Sequence, residues 1–268
     1  MTTVQSPPQQ AGAGAAAGDA ARRAPAIPLF RLVLVEMRKL ADTRSGMWLL
    51  IVIGLASVAT GLILLFAAPD SEQTFTAFVT FAQLPAGILL PVLGILAMTS
   101  EWTQRTALTT FTLEPRRGRV VAAKLVAAIV IAVVAALSAF VFAAAFNLIA
   151  EAAGGDGSWT ITWQLVAQCI VLQVLYVLMG SAFGALLMNS PVAIVTFFAL
   201  PMVWTILGET VRSLKTAAGW LDINLTTVPM TAGVMTAGEW GRLGVSAAVW
   251  VLLPLILGTI RVLRREVA

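Results

Sequence analysis

Histidine is missing from all 268 residues of the chain, and cysteine occurs once, as Cys169. The first absence removes the usual general base, the commonest metal ligand and the side chain that titrates near neutral pH. A single thiol forms no disulfide within the chain and no cysteine-based metal site, so we interpret Cys169 as a buried structural residue. No catalytic residue and no metal site is predicted.

Charged residues are also scarce. Asp, Glu, Lys and Arg make up 11% of the sequence and hydrophobic residues 59%, whereas charged residues form about a quarter of an ordinary soluble domain. The apolar residues come in blocks long enough to cross a bilayer, which takes about 20 residues. The composition therefore predicts an all-α polytopic membrane protein. In such a protein the position of the basic residues matters more than their sum, so no nucleic-acid partner is predicted.

Six apolar blocks, each bounded by charge, glycine or proline, predict six spanning helices in a single transmembrane domain, residues 27–268. The blocks lie at about 47–68, 76–99, 120–150, 161–188, 192–208 and 243–260. Only Asn189, Ser190 and Pro191 separate the fourth block from the fifth. The two blocks together far exceed one crossing, so we expect a real break between them.

Three segments outside these blocks have different patterns. Residues 1–26, rich in Ala, Gly, Pro and Gln, predict a disordered cytoplasmic tail. Residues 209–241 are too apolar for an ordinary loop and predict short re-entrant or interfacial helices on the outer side, or a structured lid without substrate contact. Residues 27–44 predict an amphipathic helix in the membrane surface, because apolar positions are mixed with Arg31, Glu36, Arg38, Lys39 and Arg44.

The distribution of charge supports both the number of spans and their orientation. If the N-terminus lies in the cytoplasm, six spans also place the loop 101–119, the turn 189–191 and the C-terminal tail there. Only three of the 17 Lys and Arg residues then lie outside, namely Arg212, Lys215 and Arg242. Because cytoplasmic loops of membrane proteins carry an excess of Lys and Arg, both termini are predicted to be cytoplasmic.

The loop after the second block predicts a short helix between Glu101 and Arg119, with Pro115 ending it. Its apolar residues are Leu108, Phe111 and Leu113. A short helix with one apolar face on the cytoplasmic side is a feature that a partner protein can bind.

This loop resembles that of the membrane subunits of type-2 ATP-binding-cassette (ABC) exporters. In that family a Glu follows the second span, a Thr lies about five residues on, and a Pro-Arg run ends in Lys. The matching residues are Glu101, Thr106, Pro115, Arg116, Arg119 and Lys124. Arg105 departs from the pattern, since many members carry Gly there, and this leaves the substrate subgroup open. With six spans and short outer helices, the resemblance covers nearly all of residues 27–268.

The resemblance implies a permease subunit whose loop is a coupling helix docked on a cytoplasmic ABC ATPase. The implied coupling residues are Glu101, Arg105, Thr106, Glu114, Pro115, Arg116, Arg117, Arg119 and Lys124. Supporting roles are implied for Glu36, Arg38 and Lys39, in the family's amphipathic connecting helix. The transporter would contain two ATPase subunits, which bind ATP and Mg, and a second copy of this chain or a similar permease. The Ala-rich composition with more Arg than Lys suggests a bacterium of high genomic GC, and the permease is then expected in its plasma membrane.

Two features that could drive transport are missing from the sequence, a phosphate-binding loop and a charged residue in the middle of a span. No Lys follows a glycine-rich phosphate-binding loop, so the chain is not predicted to be an enzyme. An ion-driven carrier usually holds a charged residue within the membrane, but the centres of the six blocks contain none. Lys124 and Glu209 lie near span ends, where snorkelling or interface exposure explains them.

Several alternatives stay open at this point. Arg116, Arg117 and Arg119 can serve orientation and lipid headgroups alone. The whole chain can be a membrane scaffold or sensor that binds a partner without transport, or a self-contained channel or carrier. Uncharged polar residues in the spans either bond neighbouring helices or line a path for substrate; the candidates are Gln83, Asn147, Gln168 and Gln173. Gly180 and Gly184 form a face of small residues for packing inside one subunit or between two.

Overall fold

The structure is a computed structural model that describes residues 27–104, 106–114 and 116–265, with only the backbone at three positions of the short loop helix. Those positions are Ala107, Phe111 and Leu113. The predicted tail at 1–26 and two predicted site residues, Arg105 and Pro115, lie outside the described residues. Within the described ranges the chain is helical and contains no strand.

Twelve α-helices form the described chain. In order they are α1 Leu29–Asp42, α2 Arg44–Ala67, α3 Phe75–Thr103, α4 Ala107–Leu113, α5 Arg117–Ala153, α6 Trp163–Leu187, α7 Ser190–Thr210, α8 Lys215–Leu221, α9 Ile223–Thr227, α10 Pro229–Ala232, α11 Ala237–Ala247 and α12 Leu253–Arg264. Short 3₁₀ turns occur at Asp70–Glu72 and Arg212–Leu214.

Six helical segments among the described residues are long and apolar enough to cross a membrane. They are α2, α3, α5, α6, α7 and the continuous segment Ala237–Arg264, and they contain 24, 29, 37, 25, 21 and 28 residues. Each coincides with one predicted apolar block to within two turns. The prediction of a helical chain with six helices long and apolar enough to span a membrane is confirmed for the described residues, and it indicates a multi-pass membrane protein.

The fourth and fifth spans are separate helices, as expected. Met188 ends α6 in the left-handed conformation, with φ of 51°. Asn189 then starts α7 because its side-chain oxygen accepts a hydrogen bond from the Val192 amide at 3.1 Å. Pro191 lies in the first turn of α7, where its missing N–H costs nothing.

Helices α3 and α6 form the centre of the bundle. Of the most apolar window in each span, 61% is buried in α3 and 56% in α6, against 22–28% in the other four. A Cβ on Gly180 of α6 would lie 2.1 Å from the carbonyl oxygen of Pro91, and one on Gly94 of α3 would lie 2.5 Å from that of Val177. Glycine therefore lets these two backbones touch, and the small-residue face containing Gly180 packs within one chain.

The last span changes its winding in the middle. A π-helical turn at Ala248–Leu252 joins α11 to α12, and Pro254 follows in the first turn of α12. In a regular α-helix the Pro254 ring would clash with the carbonyl of Trp250, four residues earlier. The wider turn occurs over these residues, and the Trp250 indole donates a 2.6 Å hydrogen bond to the Leu221 carbonyl. The Trp250 side chain, which belongs to the π-helical turn, thus links the end of α8 to the last span.

Both described termini lie at the same end of the bundle. Arg119 donates a hydrogen bond to the Ile27 carbonyl, and Arg117 donates one to the Arg265 carbonyl. The segment between α3 and α5 and the turn at Met188 belong to this end, which we call the basic end. The opposite end, which carries the turn Asp70–Glu72 and helices α8 to α10, is called the acidic end.

Helix α1 lies against the basic end and is joined to α2 by a sharp corner. Its inner face consists of Val33, Glu36 and Leu40, spaced three and four residues apart. Thr43 starts α2 by accepting a hydrogen bond from the Gly46 amide at 3.3 Å. A Cβ on Gly46 would lie 1.7 Å from the Leu40 carbonyl oxygen. Only glycine therefore allows this corner.

Replacing Gly46 with Ala should displace α1 from the bundle, because the new methyl group meets backbone that cannot move aside. We expect the free energy of unfolding to fall by about 1–3 kcal/mol, as for an overpacked site. The matched control is Gly54→Ala in the same helix, where a Cβ meets nothing within 4 Å. It should leave stability unchanged or raise it by up to about 1 kcal/mol. Circular dichroism during SDS-driven unfolding measures both, and equal stability of the two variants would contradict the corner.

Candidate functional site

Most of the site residues predicted from the sequence lie at the basic end, where four elements meet. The C-terminal turn of α3 carries Glu101, helix α4 follows after a short turn, and the first turns of α5 carry Lys124. Helix α1 packs across them and supplies Glu36 and Lys39. These four charged residues form one connected group, which we call the charge cluster.

Lys124 is the buried centre of the charge cluster. Its ammonium nitrogen lies 2.8 Å from Glu36 Oε2 and 3.2 Å from Glu101 Oε1, and the side chain is only 4% exposed. The same nitrogen donates a 3.0 Å hydrogen bond to the Ala97 carbonyl. All three hydrogens of the ammonium group thus have an acceptor within reach.

Lys39 closes the cluster from its outer side. Its ammonium nitrogen lies 2.7 Å from Glu36 Oε1 and 3.3 Å from Glu101 Oε1, and the side chain is 42% exposed. Two carboxylates and two ammonium groups balance each other in charge, as burial requires. The cluster joins α1, α3 and α5 through side chains that are distant in sequence, since Glu36 and Lys124 are 88 residues apart.

The pKa of both residues on α1 reflects this pairing. Burial by itself would raise the pKa of the Glu36 carboxyl, but its ion pairs with Lys124 and Lys39 outweigh burial and hold the pKa below its ordinary value. For Lys39, burial by itself would lower the pKa, but the Glu36 and Glu101 carboxylates raise it above its ordinary value. The ionised forms are therefore the ones that the fold stabilises.

Helix α4 is tied to the cluster at its base. The Thr110 hydroxyl donates a 3.3 Å hydrogen bond to Glu101 Oε1, and the Thr106 amide donates one of 2.9 Å to the Glu101 carbonyl. At the far end of α4, the Arg116 amide donates to Glu114 Oε1 at 3.3 Å, and Glu114 is buried. One glutamate, Glu101, thus contacts α1, α4 and α5 together.

The predicted coupling residues fall into three groups. Glu101, Glu114 and Lys124 are buried within the chain, so their side chains hold the local fold together. Arg117 and Arg119 donate hydrogen bonds to carbonyls of the last span and of Ile27. The exposed members of the predicted set are Thr106, Arg116 and, on α1, Arg38 and Lys39. Their predicted contact with an ATPase stays a prediction.

A cavity of about 830 Å³ adjoins the charge cluster, between α1 and the segment from α3 to α5. Glu36, Lys39 and Glu101 line it on one side, together with hydroxyl groups such as that of Thr106. Apolar side chains, such as that of Leu93, also line it. The elements that the cluster joins are thus separated by open space on this side.

The four polar residues considered for a substrate path do not lie together. Gln83 and Gln173 are hydrogen-bonded to each other and line a second cavity, in the acidic half of the bundle. The Asn147 amide instead donates a 2.8 Å hydrogen bond to the Gly157 carbonyl and so holds a loop at the acidic end. Gln168 is buried and is not among the residues that line this cavity.

Sequence reasoning missed the pairing within the cluster. The expectation that Lys124 snorkels toward water is wrong, because its ammonium group points into the bundle and is almost fully buried. The available signal was the spacing within α1, where Glu36 shares the inner face with Val33 and Leu40. A carboxylate on an otherwise apolar face is costly to bury unless a cation pairs with it, so this pattern predicts a buried cation nearby. Among the described residues, no group of three His, Cys, Asp or Glu could hold a metal ion.

Comparison with known proteins adds no assignment to this geometry. No protein-family model matches the chain, and no curated protein matches it. The residues of the chain and the resemblance carried by the loop around α4 are therefore the basis for assigning a function.

Replacing Lys124 with Met should destabilise the protein strongly, because Glu36 and Glu101 then lose the buried cation that both contact. We expect a loss of about 3–5 kcal/mol in the free energy of unfolding, as when one partner of a buried pair is removed. Lys39→Met is the matched control, since its side chain is 42% exposed, and it should cost about 1 kcal/mol or less. Unfolding in SDS measures both. Equal losses would show that the cluster has no buried centre.

The depressed pKa of Glu36 predicts how stability depends on pH. A group whose pKa is lower in the folded state stabilises the fold above its ordinary pKa, and this contribution is lost as the pH falls through the folded value. Between about pH 6 and about pH 3, wild-type stability should therefore fall more steeply than that of Glu36→Gln. Chemical unfolding at a series of pH values measures the two slopes, and parallel slopes would contradict the pairing. Lys39 does not contribute over this range, because its raised pKa keeps it charged throughout.

Proposed function

We propose that this chain is the membrane-spanning permease subunit of an ATP-driven exporter of the type-2 ABC class, with the ATPase on separate subunits. The observation that carries the proposal is a short helix, α4, held between the second and third spans by the buried charge cluster. Six spans, the loop pattern from Glu101 to Lys124 and the amphipathic helix α1 add support.

The outer surface of α4 is suited to binding a partner. Leu108 is 57% exposed, although it belongs to a helix that is too short to enter a membrane. Thr109, Thr112 and Arg116 are exposed beside it. An apolar anchor with a polar rim is typical of a protein interface. We call these four residues the α4 surface and assign it to the ABC ATPase.

The charge cluster provides a route for motion from the α4 surface into the membrane. When ATP binding moves the partner, α4 moves with it. The motion reaches α3 through the hydrogen bond between Thr110 of α4 and Glu101 of α3. Glu101 contacts Lys39 of α1 and Lys124 of α5, so α1, α3 and α5 shift as connected bodies. The cavity beside the cluster gives α1 room to approach α4. Two discrete arrangements of this kind are what a transport cycle requires.

In this proposal the basic end faces the cytoplasm of a bacterial plasma membrane. Of the described Lys and Arg residues, only Arg212, Lys215 and Arg242 belong to segments at the acidic end. Helix α1 lies in the inner membrane surface among lipid headgroups, and α8 to α10 are the outer re-entrant or interfacial helices. Coupling requires α4 to lie where ATP is present, which is the cytoplasmic side.

The complete transporter contains two permeases and two ATPase subunits. Helices α2 and α7 are the least buried spans, with 22% of their apolar windows covered by the chain. Their outward faces are available to lipid and to a second copy, or to a similar permease. The substrate path forms between the two permeases, and ATP with Mg is bound by the partner ATPase.

The test is a mild-detergent pull-down of the tagged chain from its native membrane, with mass spectrometry of co-purified proteins and an ATP hydrolysis assay. We expect a near-stoichiometric ATPase with a phosphate-binding loop. Leu108→Asp and Arg116→Glu change exposed residues of the α4 surface, so each should lower the recovered ATPase by about tenfold or more without lowering the amount of chain in the membrane.

The matched control is Arg212→Glu, an exposed arginine at the acidic end, which should retain the ATPase. If both α4 variants also retain it, the docking surface is wrong although the transporter class stands. If the wild-type chain purifies without any ATPase, the proposal fails and a scaffold or sensor becomes the better interpretation.

A further inference from the structure

A second cavity, of about 400 Å³, lies in the acidic half of the bundle. Helices α3, α6 and α7 form its walls, and the short helices α9 and α10 lie over one side. The described residues that line it include no Asp, Glu, Lys or Arg. Aromatic and aliphatic side chains dominate, among them Phe197, Phe198 and Met179. The cavity beside the charge cluster, in contrast, is lined in part by charged residues such as Glu36, Lys39 and Glu101.

Two hydrogen-bonded glutamines, Gln83 and Gln173, form a polar site on the wall of this cavity. Gln173 Nε2 donates hydrogen bonds to the Gln83 backbone oxygen at 3.0 Å and to Gln83 Oε1 at 2.9 Å. Since a backbone oxygen can only accept, the nitrogen of the Gln173 amide must face it, and this determines the direction of Oε1. Gln173 is 1% exposed, and its Oε1 has no hydrogen-bond partner among the described residues.

A tyrosine brings a second acceptor to the same wall. The Tyr176 hydroxyl lies 3.3 Å from Thr227 Oγ1, while the Thr227 hydroxyl donates to the Ile223 carbonyl at 2.7 Å. Tyr176 is therefore the donor in its pair with Thr227, and its own oxygen is left to accept. A Cβ on Gly87 would lie 3.6 Å from the Tyr176 ring and 3.9 Å from Gln173 Nε2. The two side chains thus converge beside a glycine that leaves the space open.

We propose that this cavity binds an uncharged amphiphile whose apolar rings or chain fill the aromatic wall and whose N–H or O–H group donates to Gln173 and Tyr176. A buried carbonyl oxygen without a donor is costly, and a ligand donor removes that cost. A charged ligand would lose its hydration without finding a counter-ion in the wall. Binding stands independently of transport, whereas the identification of this ligand class as the exported cargo rests on the proposed function.

The experiment measures protection of a reporter cysteine in nanodiscs. Cys169, the only native cysteine, is replaced by Ala, and Thr231, an exposed residue at the cavity, is replaced by Cys. The probe is phenylnaphthylamine, which is neutral and carries one N–H donor. Two relatives share its skeleton: anilinonaphthalenesulfonate adds a negative charge, and the N-methyl derivative lacks the donor.

The neutral probe should slow maleimide labelling of Thr231→Cys in a saturable manner. The sulfonate should bind at least about tenfold more weakly, and the N-methyl derivative about tenfold more weakly as well. A control reporter, Thr210→Cys, is exposed at the same end and does not line the cavity, so its labelling should be unaffected. This control separates binding in the cavity from partition of the probe into lipid.

Two variants test the acceptors. Tyr176→Phe keeps the ring and removes only the oxygen, while Gln173→Leu removes the unpartnered Oε1 together with the Nε2 that donates to Gln83. Each should weaken protection by the neutral probe by about tenfold. If Gln173→Leu fails to fold, the effect of Tyr176→Phe on protection by the neutral probe still tests the proposed binding. Equal protection by all three probes, or no effect of Tyr176→Phe, would overturn the proposal. Because no ATPase is present, failure of the exporter assignment leaves these outcomes unchanged.

Discussion

The buried cation of Lys124 determines the arrangement of the basic end. An ammonium group in an apolar bundle is stable only when anions surround it, and its two carboxylate partners come from α1 and α3. Helix α1 and the spans α3 and α5 are therefore held in register by electrostatics, which supplements weak apolar packing. Since lipid tails are as apolar as the core, apolar contact alone does not determine where α1 lies on the bundle. Ionic pairing does.

Glycine plays the corresponding role within the spans. In a bilayer, helices associate through close van der Waals contact, and the closest contacts need residues without a side chain. Gly94 and Gly180 let α3 touch α6, and this pair forms the buried centre of the molecule. Gly46 does the same at the corner between α1 and α2. The central pair and the charge cluster share α3, so a displacement of Glu101 acts directly on the most buried helix.

The two cavities differ in the charge of their linings, and helix α3 borders both. The one at the basic end has carboxylates, an ammonium group and hydroxyls in its lining, beside apolar residues. The one in the acidic half is uncharged and holds amide and phenol oxygens as acceptors, which suits a ligand dissolved in the membrane. In an exporter, α3 would connect ATPase docking at one end with ligand binding near the other.

Length and hydropathy determined the six spans and the break at Asn189, because crossing a bilayer requires an apolar block of a certain length. They also determined the position of α4, which lies in the loop between two such blocks. The pattern also selected Glu101 and Lys124, although for contact with a partner. Only the tertiary structure decided that these two residues pair with Glu36 and Lys39, since contacts between residues tens of positions apart depend on how helices rotate and pack. The same reason explains why Gln83 and Gln173 share a cavity while Asn147 and Gln168 do not: composition placed all four in spans, and helix rotation determined what each one faces.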